Sequence, residues 1–386
     1  MMKSYEALFQ ASLYIENLKW TKDTLAELPT CRGVLLFADP SGQPIQLLQA
    51  ANCRRTAQAR LLRDPSETGP QKKADISDLT RVIYYTRGYN HFLCQVIYTQ
   101  LAHSLFGQEA KTWIQLPKVS LAAIDTDAYL PYFYVTEAAG GVLDQQRFGL
   151  FPSRKVAAEF CEILNTVFGL CRNPALLKTG RESSCPYLQM QTCPGPCLSD
   201  ELRNTYAEAV LQALQTAAGN IESPRQHLRQ EMEQASQKMA FEKAQQSKKK
   251  LRMLSKLSRS DFRYVHRLED ICLLHVDIGH KEKQEGTNKK VQQLMWYKIT
   301  GSAIDHLGNC TPTNEEEIKT FIETHWDNTE NRLSIQDSKE RLSLVSLHLF
   351  RSQHNGIWLD CTDGIWLEKV MSGMTECFSL SFDSVE

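Results

Sequence analysis

The chain has 386 residues, of which 42% are hydrophobic and 23% charged, with a net charge of −1; this length exceeds one ordinary core and predicts two or three domains. The composition is that of a soluble globular protein, and no apolar run approaches the ~20 residues of a membrane-spanning helix, so no membrane partner is expected. The opening Met1-Met2-Lys3-Ser4-Tyr5-Glu6 lacks the apolar stretch of a secretory signal, which predicts a cytoplasmic chain.

In chain order, residues 1–27 show mixed apolar spacing and read as one helix or two short ones. Gly33 to Phe37 and Pro44 to Leu48 read as strands on either side of an Asp39-Pro40-Ser41-Gly42 turn, a β-hairpin. Ala50 to Leu62 is a helical stretch carrying Arg54, Arg55 and Arg60, and Asp64 to Lys73 is polar and turn-rich. Val82 to Tyr85 and Tyr129 to Thr136 read as strands, Phe92 to Phe106 and Val156 to Phe168 as helices. A further helix runs from Ser199, whose hydroxyl can cap its first turn, to Ala218.

Twelve cysteines in a reducing compartment are not expected to form a disulfide framework. Eight are scattered, Cys31, Cys53, Cys94, Cys161, Cys272, Cys310, Cys361 and Cys377, and read as small packing residues. Cys171, Cys185, Cys193 and Cys197 instead share 27 residues, separated by thirteen, seven and three. Pro174, Pro186, Pro194, Gly195 and Pro196 among them favour turns, as a loop folded around a central group requires. Four soft thiolates suit tetrahedral zinc or an iron–sulfur cluster, and spacing alone does not choose between these and unligated thiols.

From Arg225 to Arg267 there are twelve Lys or Arg and four Asp or Glu, so a segment of +8 stands in a chain of −1. Leu228, Met232, Ala235 and Met239 recur at helical spacing, and a second helical stretch follows from Phe241, Glu242 and Ala244 to Leu251 and Leu254. On periodicity alone this is a helical hairpin or a solvated helical linker. Beyond it, Asp270 to Val276 and Met295 to Ile299 read as strands, Glu315 to Trp326 as a helix and Leu342 to Phe350 as a strand. Asp277, Asp360 and Asp363 read as surface or turn carboxylates, and His275, His280 and His348 as ordinary strand or loop histidines.

Leu28-Pro29-Thr30-Cys31-Arg32-Gly33-Val34-Leu35-Leu36-Phe37 and Ala50-Ala51-Asn52-Cys53-Arg54-Arg55 resemble the opening hairpin and first helix of the GIY-YIG nuclease domain of the UvrC family. Gly149-Leu150-Phe151-Pro152-Ser153 and the loop ending Cys193-Pro194-Gly195-Pro196-Cys197 resemble the segment that follows in that family, over roughly residues 28–260. The resemblance implies a 4Fe-4S cluster on Cys171, Cys185, Cys193 and Cys197, with zinc as the alternative. It implies a UVR hairpin docking a UvrB-like partner through Leu228, Met232, Met239, Phe241, Glu242 and Ala244. DNA is the second implied partner, with Arg54, Arg55, Arg60, Lys248, Lys249, Lys250 and Arg252 as phosphate contacts; Lys256 and Arg259 extend that basic surface.

Family nuclease chemistry needs a tyrosine on the second motif strand, an arginine on the next helix and a metal-binding glutamate on a later one. This chain has Gln46, Thr56 and, in the best register, Tyr98 at those places, and no Asp or Glu lies between Asp78 and Glu109. Without a hard carboxylate ligand, Mg²⁺ is not expected there. The reading is a DNA-repair protein of the excinuclease ABC type with an inactive nuclease scaffold; a divergent active endonuclease and an iron–sulfur redox protein are the alternatives. No counterpart of the family's RNase H-like acidic triad is read.

The expected fold class is α+β. Its parts are an N-terminal helical segment (1–27), a degenerate GIY-YIG-like domain (28–145), a cysteine region with flanking helices (146–220), a UVR-like hairpin (221–260) and a mixed α/β C-terminal region (261–386).

Overall fold

The computed structural model describes residues 5–15, 19–62, 75–137, 145–177, 184–283, 290–327, 330–335, 337–351 and 356–378. The fold is α+β: three antiparallel four-stranded sheets, each with its own helices. The turn-rich stretch Asp64 to Lys73 lies outside the described residues.

The first sheet joins β1 (Ala11–Tyr14), β2 (Gly33–Ala38), β3 (Pro44–Ala50) and β4 (Val82–Arg87) in the order β1-β4-β2-β3. Its hairpin turn is set by Asp39, whose carboxylate accepts from Ser41 N and Gln43 N, both at 2.8 Å, while Gly42 takes the left-handed φ of 78°. Every residue of β2 is buried because both faces are covered. Leu35 and Phe37 point to α1 (Cys53–Leu61); Val34, Leu36 and Ala38 point to α2 (His91–Phe106). Asn52 and Asn90 cap these helices by accepting from Arg55 N and Leu93 N.

The helical reading of residues 1–27 is corrected: Ala11–Tyr14 is a strand paired with β4, and Thr24–Glu27 is one 3₁₀ turn. Leu13 inward and Tyr14 outward follow a strand's period of two, which four residues are too few to reveal.

After the short α3 (Ala110–Trp113) comes the second sheet, of β5 (Leu121–Asp125), β6 (Phe133–Thr136), β7 (Gln145–Gly149) and β8 (His266–Arg267), in the order β6-β5-β7-β8. Hydrogen bonding between β5 and β7 thus crosses position 146. The helix α4 (Arg154–Val167) lies on β5 and β6, and its Asn165 side chain accepts from Phe133 N at 2.9 Å and donates to Phe133 O at 2.8 Å. Then follow α5 (Pro186–Gln189), α6 (Asp200–Ala217), α7 (Glu222–Gln237) and α8 (Phe241–Leu254). Phe133, Phe148, Phe160, Leu164, Leu214, Leu228, Leu254 and Phe262 form one core, so the hairpin α7–α8 is docked onto α4 and α6.

The third sheet holds β9 (Cys272–Lys283), β10 (Lys290–Thr300), β11 (Ile304–Asn309) and β12 (Ile357–Asp360), in the order β11-β10-β9-β12. The helices α9 (Glu315–His325) and α11 (Leu367–Phe378) cover one face; α10 (Ser338–Leu349) covers the other. The expected strand at Leu342 to Phe350 is therefore corrected to helix. Leu342, Val345 and Leu349 are spaced by three and four, and Asp337 caps the helix by accepting from Lys339 N and Glu340 N. Phe92 and Val96 of α2 enter the same core as α10 and join the first sheet's module to the third.

Candidate functional site

Of the three positions expected to carry nuclease chemistry, Gln46 and Thr56 belong to the side of the first sheet that α1 covers and Tyr98 to the opposite side. By strand alternation Gln46 shares its side of β3 with Leu48 and Ala50, which pack in the core under α1; its Oε1 is buried without a hydrogen-bond partner. Thr56 sits half-buried on α1. Tyr98 lies on α2 against the opposite core, where its hydroxyl donates to Trp113 O at 3.1 Å. Of the arginines, Arg54 is engaged in the fold, donating to Leu28 O at 3.0 Å and to Ala26 O. Arg60 is half-buried and Arg55 exposed.

The cysteine loop is assembled by backbone turns. Cys185 precedes α5, whose first residue is Pro186; Gln191 and Gly195 adopt left-handed φ values of 54° and 80°, and Cys193 N donates to Tyr187 O. These turns bring Cys171, Cys185, Cys193 and Cys197 around one cavity walled by Leu130, Leu176, Leu188 and Pro196. Burial raises the Cys171 thiol, and the other three thiols raise it further, which records their proximity. Among the described residues, no group of three or more His, Cys, Asp or Glu stands ready to hold a single metal ion. The donor set itself, four soft thiols in an apolar wall, fits a thiophilic group.

Two residues that hold this loop carried no sequence signal. Arg172 stacks on the Tyr187 ring at 3.9 Å and donates to Thr192 O and Oγ1, both at 3.0 Å. Tyr206 of α6 accepts from Cys171 N at 3.0 Å and donates to Pro131 O at 2.5 Å, tying the loop to the second sheet. Tyr206→Phe removes both bonds while keeping the ring; the variant should lose about 1–3 kcal/mol, measured as a lowered urea midpoint. An unchanged midpoint would show that the tie carries no stability.

In the hairpin, Leu228 is buried while Met232 and Ala235 are half-buried, as their spacing requires. Met239 departs from the stripe: α7 ends at Gln237, and Met239 occupies the turn with φ of 56° and is 76% exposed. Phe241 at the start of α8 is 69% exposed and Glu242 is exposed, while Ala244 is half-buried, so the hairpin tip presents apolar side chains to solvent. Lys248, Lys249 and Arg252 are exposed; Lys250 is half-buried. Lys256 and Arg259 reach Glu159 of α4 at 3.1 and 2.5 Å and clamp the hairpin base to the second module. That use replaces the free basic surface expected of them.

Asp277 and His348 are corrected from exposed or loop positions to interior ones. Asp277 is 1% exposed on β9 and His348 is 7% exposed on α10. His348 Nε2 and the nearby His91 Nδ1 are buried without hydrogen-bond partners. Among the described residues, no group of three or more His, Cys, Asp or Glu gathers around Asp277 to hold a metal; His275 Nε2 lies 3.8 Å away, beyond hydrogen-bond length. The scattered cysteines are also less scattered in space, since Cys31 just before β2, Cys53 of α1 and Cys94 of α2 act electrostatically on one another.

No helix among the described residues is long and apolar enough to cross a membrane. Residues 119–216 match the family described as UvrC/Cho excinuclease, middle domain. The chain is 24% identical over 317 residues, 80% of its own length and 50% of the relative's, to the UvrABC system protein C of Latilactobacillus sakei. It is 25% identical over 226 residues (56% of this chain, 31% of the relative) to that of Oleidesulfovibrio alaskensis. For Nitratidesulfovibrio vulgaris the figures are 26% over 241 residues, 60% and 33%. The chain thus spans half or less of the length of these curated relatives. No solved structure matches it. The UvrC resemblance expected from the motifs is borne out, at low identity.

Proposed function

We propose that this chain is a UvrC-like protein of nucleotide excision repair that binds DNA and a UvrB-type partner, with no working nuclease centre in its first module. The observation that carries this reading is the family match over 119–216, a span that contains all four cysteines lining the common cavity. The inactive centre is supported by Gln46, Thr56 and Tyr98 in place of the reactive residues, by the position of Tyr98 in the opposite core, and by an α2 without Asp or Glu. Phosphodiester cleavage depends on charge stabilisation that these side chains do not supply. Purified protein is expected not to nick damaged duplex with Mg²⁺ or Mn²⁺; metal-dependent nicking would overturn that part.

Cys171, Cys185, Cys193 and Cys197 would hold a 4Fe-4S cluster, zinc being the alternative. Four thiols lining one apolar cavity suit either group, and the resemblance of the loop to the UvrC family favours the cluster. When bound, the cluster supplies covalent bracing of the loop and a redox-capable iron centre. The chain's own part is to orient the thiols through Tyr206 and to hold the Arg172 charge beside them. Anaerobic purification is expected to give a brown protein with iron and sulfide, and Cys171→Ser or Cys197→Ser a colourless one. A zinc-loaded or metal-free wild type would sink the assignment.

Partner docking is supported by the exposed apolar tip, Met239 and Phe241, on a hairpin whose opposite end is clamped. Phe241→Ala is expected to weaken capture of UvrB at least tenfold in a pull-down titration without lowering the melting temperature, because this ring is solvent-exposed before docking.

A further inference from the structure

A cavity of about 370 Å³ opens between the end of α4, α6, the start of α7 and Lys250 of α8, apart from the cysteine cavity. Its size lies in the range of small-molecule pockets. Lys250 is half-buried in its wall and makes no ion pair among the described residues. The nearby carboxylate, Glu231, is already engaged by His227 Nε2 at 3.2 Å and Ser247 Oγ at 3.5 Å. Burial lowers Lys250 from the ordinary lysine range, Glu231 opposing, so an anion in the cavity would relieve an existing cost. Gln212, Gln215 and Asn220 add three side-chain amides to the same wall, each able to donate and accept at once.

One cation for an anion, amides for a base edge, and Phe168 and Leu228 as apolar wall make up one set of contacts. We propose that this cavity takes a single nucleotide unit, with its phosphate on Lys250 and its base edge on Gln212, Gln215 and Asn220. The occupant is a free mononucleotide or one unpaired nucleotide of a strand. In the second case the site deepens the DNA-binding reading above, and Lys248 and Lys249 on the same helix would meet the neighbouring phosphates.

The test is calorimetric titration of the full chain with deoxyadenosine monophosphate, deoxycytidine monophosphate, deoxyribose 5-phosphate and inorganic phosphate. Nucleotides should bind saturably and more tightly than deoxyribose phosphate. Lys250→Met should weaken them at least tenfold and Lys250→Arg much less, while Gln212→Leu with Asn220→Leu should abolish the preference over deoxyribose phosphate. Equal melting temperatures establish that the variants fold. A short single strand that displaces the mononucleotide identifies a strand as the occupant; bound mononucleotide that no strand displaces identifies the free form. Absence of saturable nucleotide binding, or binding unchanged in Lys250→Met, overturns the proposal. A gel shift with duplex DNA runs beside it: duplex binding without nucleotide binding defeats only the cavity, and the reverse defeats only the DNA-repair reading.

Discussion

Phe92→Ala should destabilise the chain by roughly 3–5 kcal/mol, the cost of removing a fully buried aromatic side chain and leaving a cavity. Phe92 is 1% exposed at the first turn of α2, with its ring edge-on to His275, Tyr297, His348 and Trp358 at centroid distances of 4.9 to 5.6 Å. Four T-shaped contacts add to area burial, each on the order of 0.5–1.5 kcal/mol. The surrounding groups cannot collapse freely, because Trp358 and Tyr297 belong to strands of the third sheet and His348 to α10. The loss falls on the junction between the first and third modules. Asn90, which caps α2, also donates to Ile278 O of β9 at 2.9 Å, so loosening Phe92 should free that contact too. Hydrogen exchange should rise in both β9 and the first turns of α2, while α6 stays protected. Phe92→Leu, which keeps most of the volume, should cost under about 1.5 kcal/mol. If Phe92→Ala alters exchange on only one side of the junction, the two modules are not coupled through this ring.

What could be read from the chain follows the range of the signals. The hairpin around Asp39, the cap at Ser199, and α7 with α8 are local, since side chain and backbone lie within a few residues of each other. The four cysteines of the loop were legible because proline and glycine turns enclose them within one short stretch. The junction was not. Phe92 and His275 are far apart in sequence, and each looked like an ordinary helix or strand residue until the topology set α2 against β9. The same holds for Tyr206, whose hydroxyl reaches back to Pro131 across 75 positions. Leu342 to Phe350 misled for a different reason: in this short run the alternation of Val345, Leu347 and Leu349 competes with the helical spacing of Leu342, Val345 and Leu349. In the structure the Asp337 cap just before it starts the helix.

Asp277→Asn should make the chain more stable above neutrality and change its pH dependence between pH 4 and 7. Burial pushes the Asp277 carboxyl up to about 7, against the N–H of Ile278, which it accepts at 2.7 Å, and the charge of Arg32. In the unfolded chain an aspartate titrates near about 3.9. Between these values the folded state keeps the proton and the unfolded state has released it, so stability falls as pH rises through the window. The full penalty above the folded pKa is on the order of 4 kcal/mol. Asparagine resembles the neutral acid in shape and can still accept from Ile278 N, so the variant should match the wild type near pH 4.5 and exceed it by a few kcal/mol at pH 8. His348 works in the other direction. Burial, with His91, His275 and Arg351 beside it, lowers its imidazole to about 3, while an unfolded histidine takes up its proton near about 6.5. Its effect is a loss of stability as pH falls from about 6.5 toward 3, so between about pH 4 and 6.5 the two groups act in opposite directions and nearly cancel. His348→Asn should therefore uncover a fall of stability with rising pH across this window, and Asp277→Asn a rise of stability with rising pH. Urea midpoints from pH 4.5 to 8.5 separate the two, and an Asp277→Asn curve parallel to the wild type would mean that this carboxyl is ionised in the fold at neutral pH.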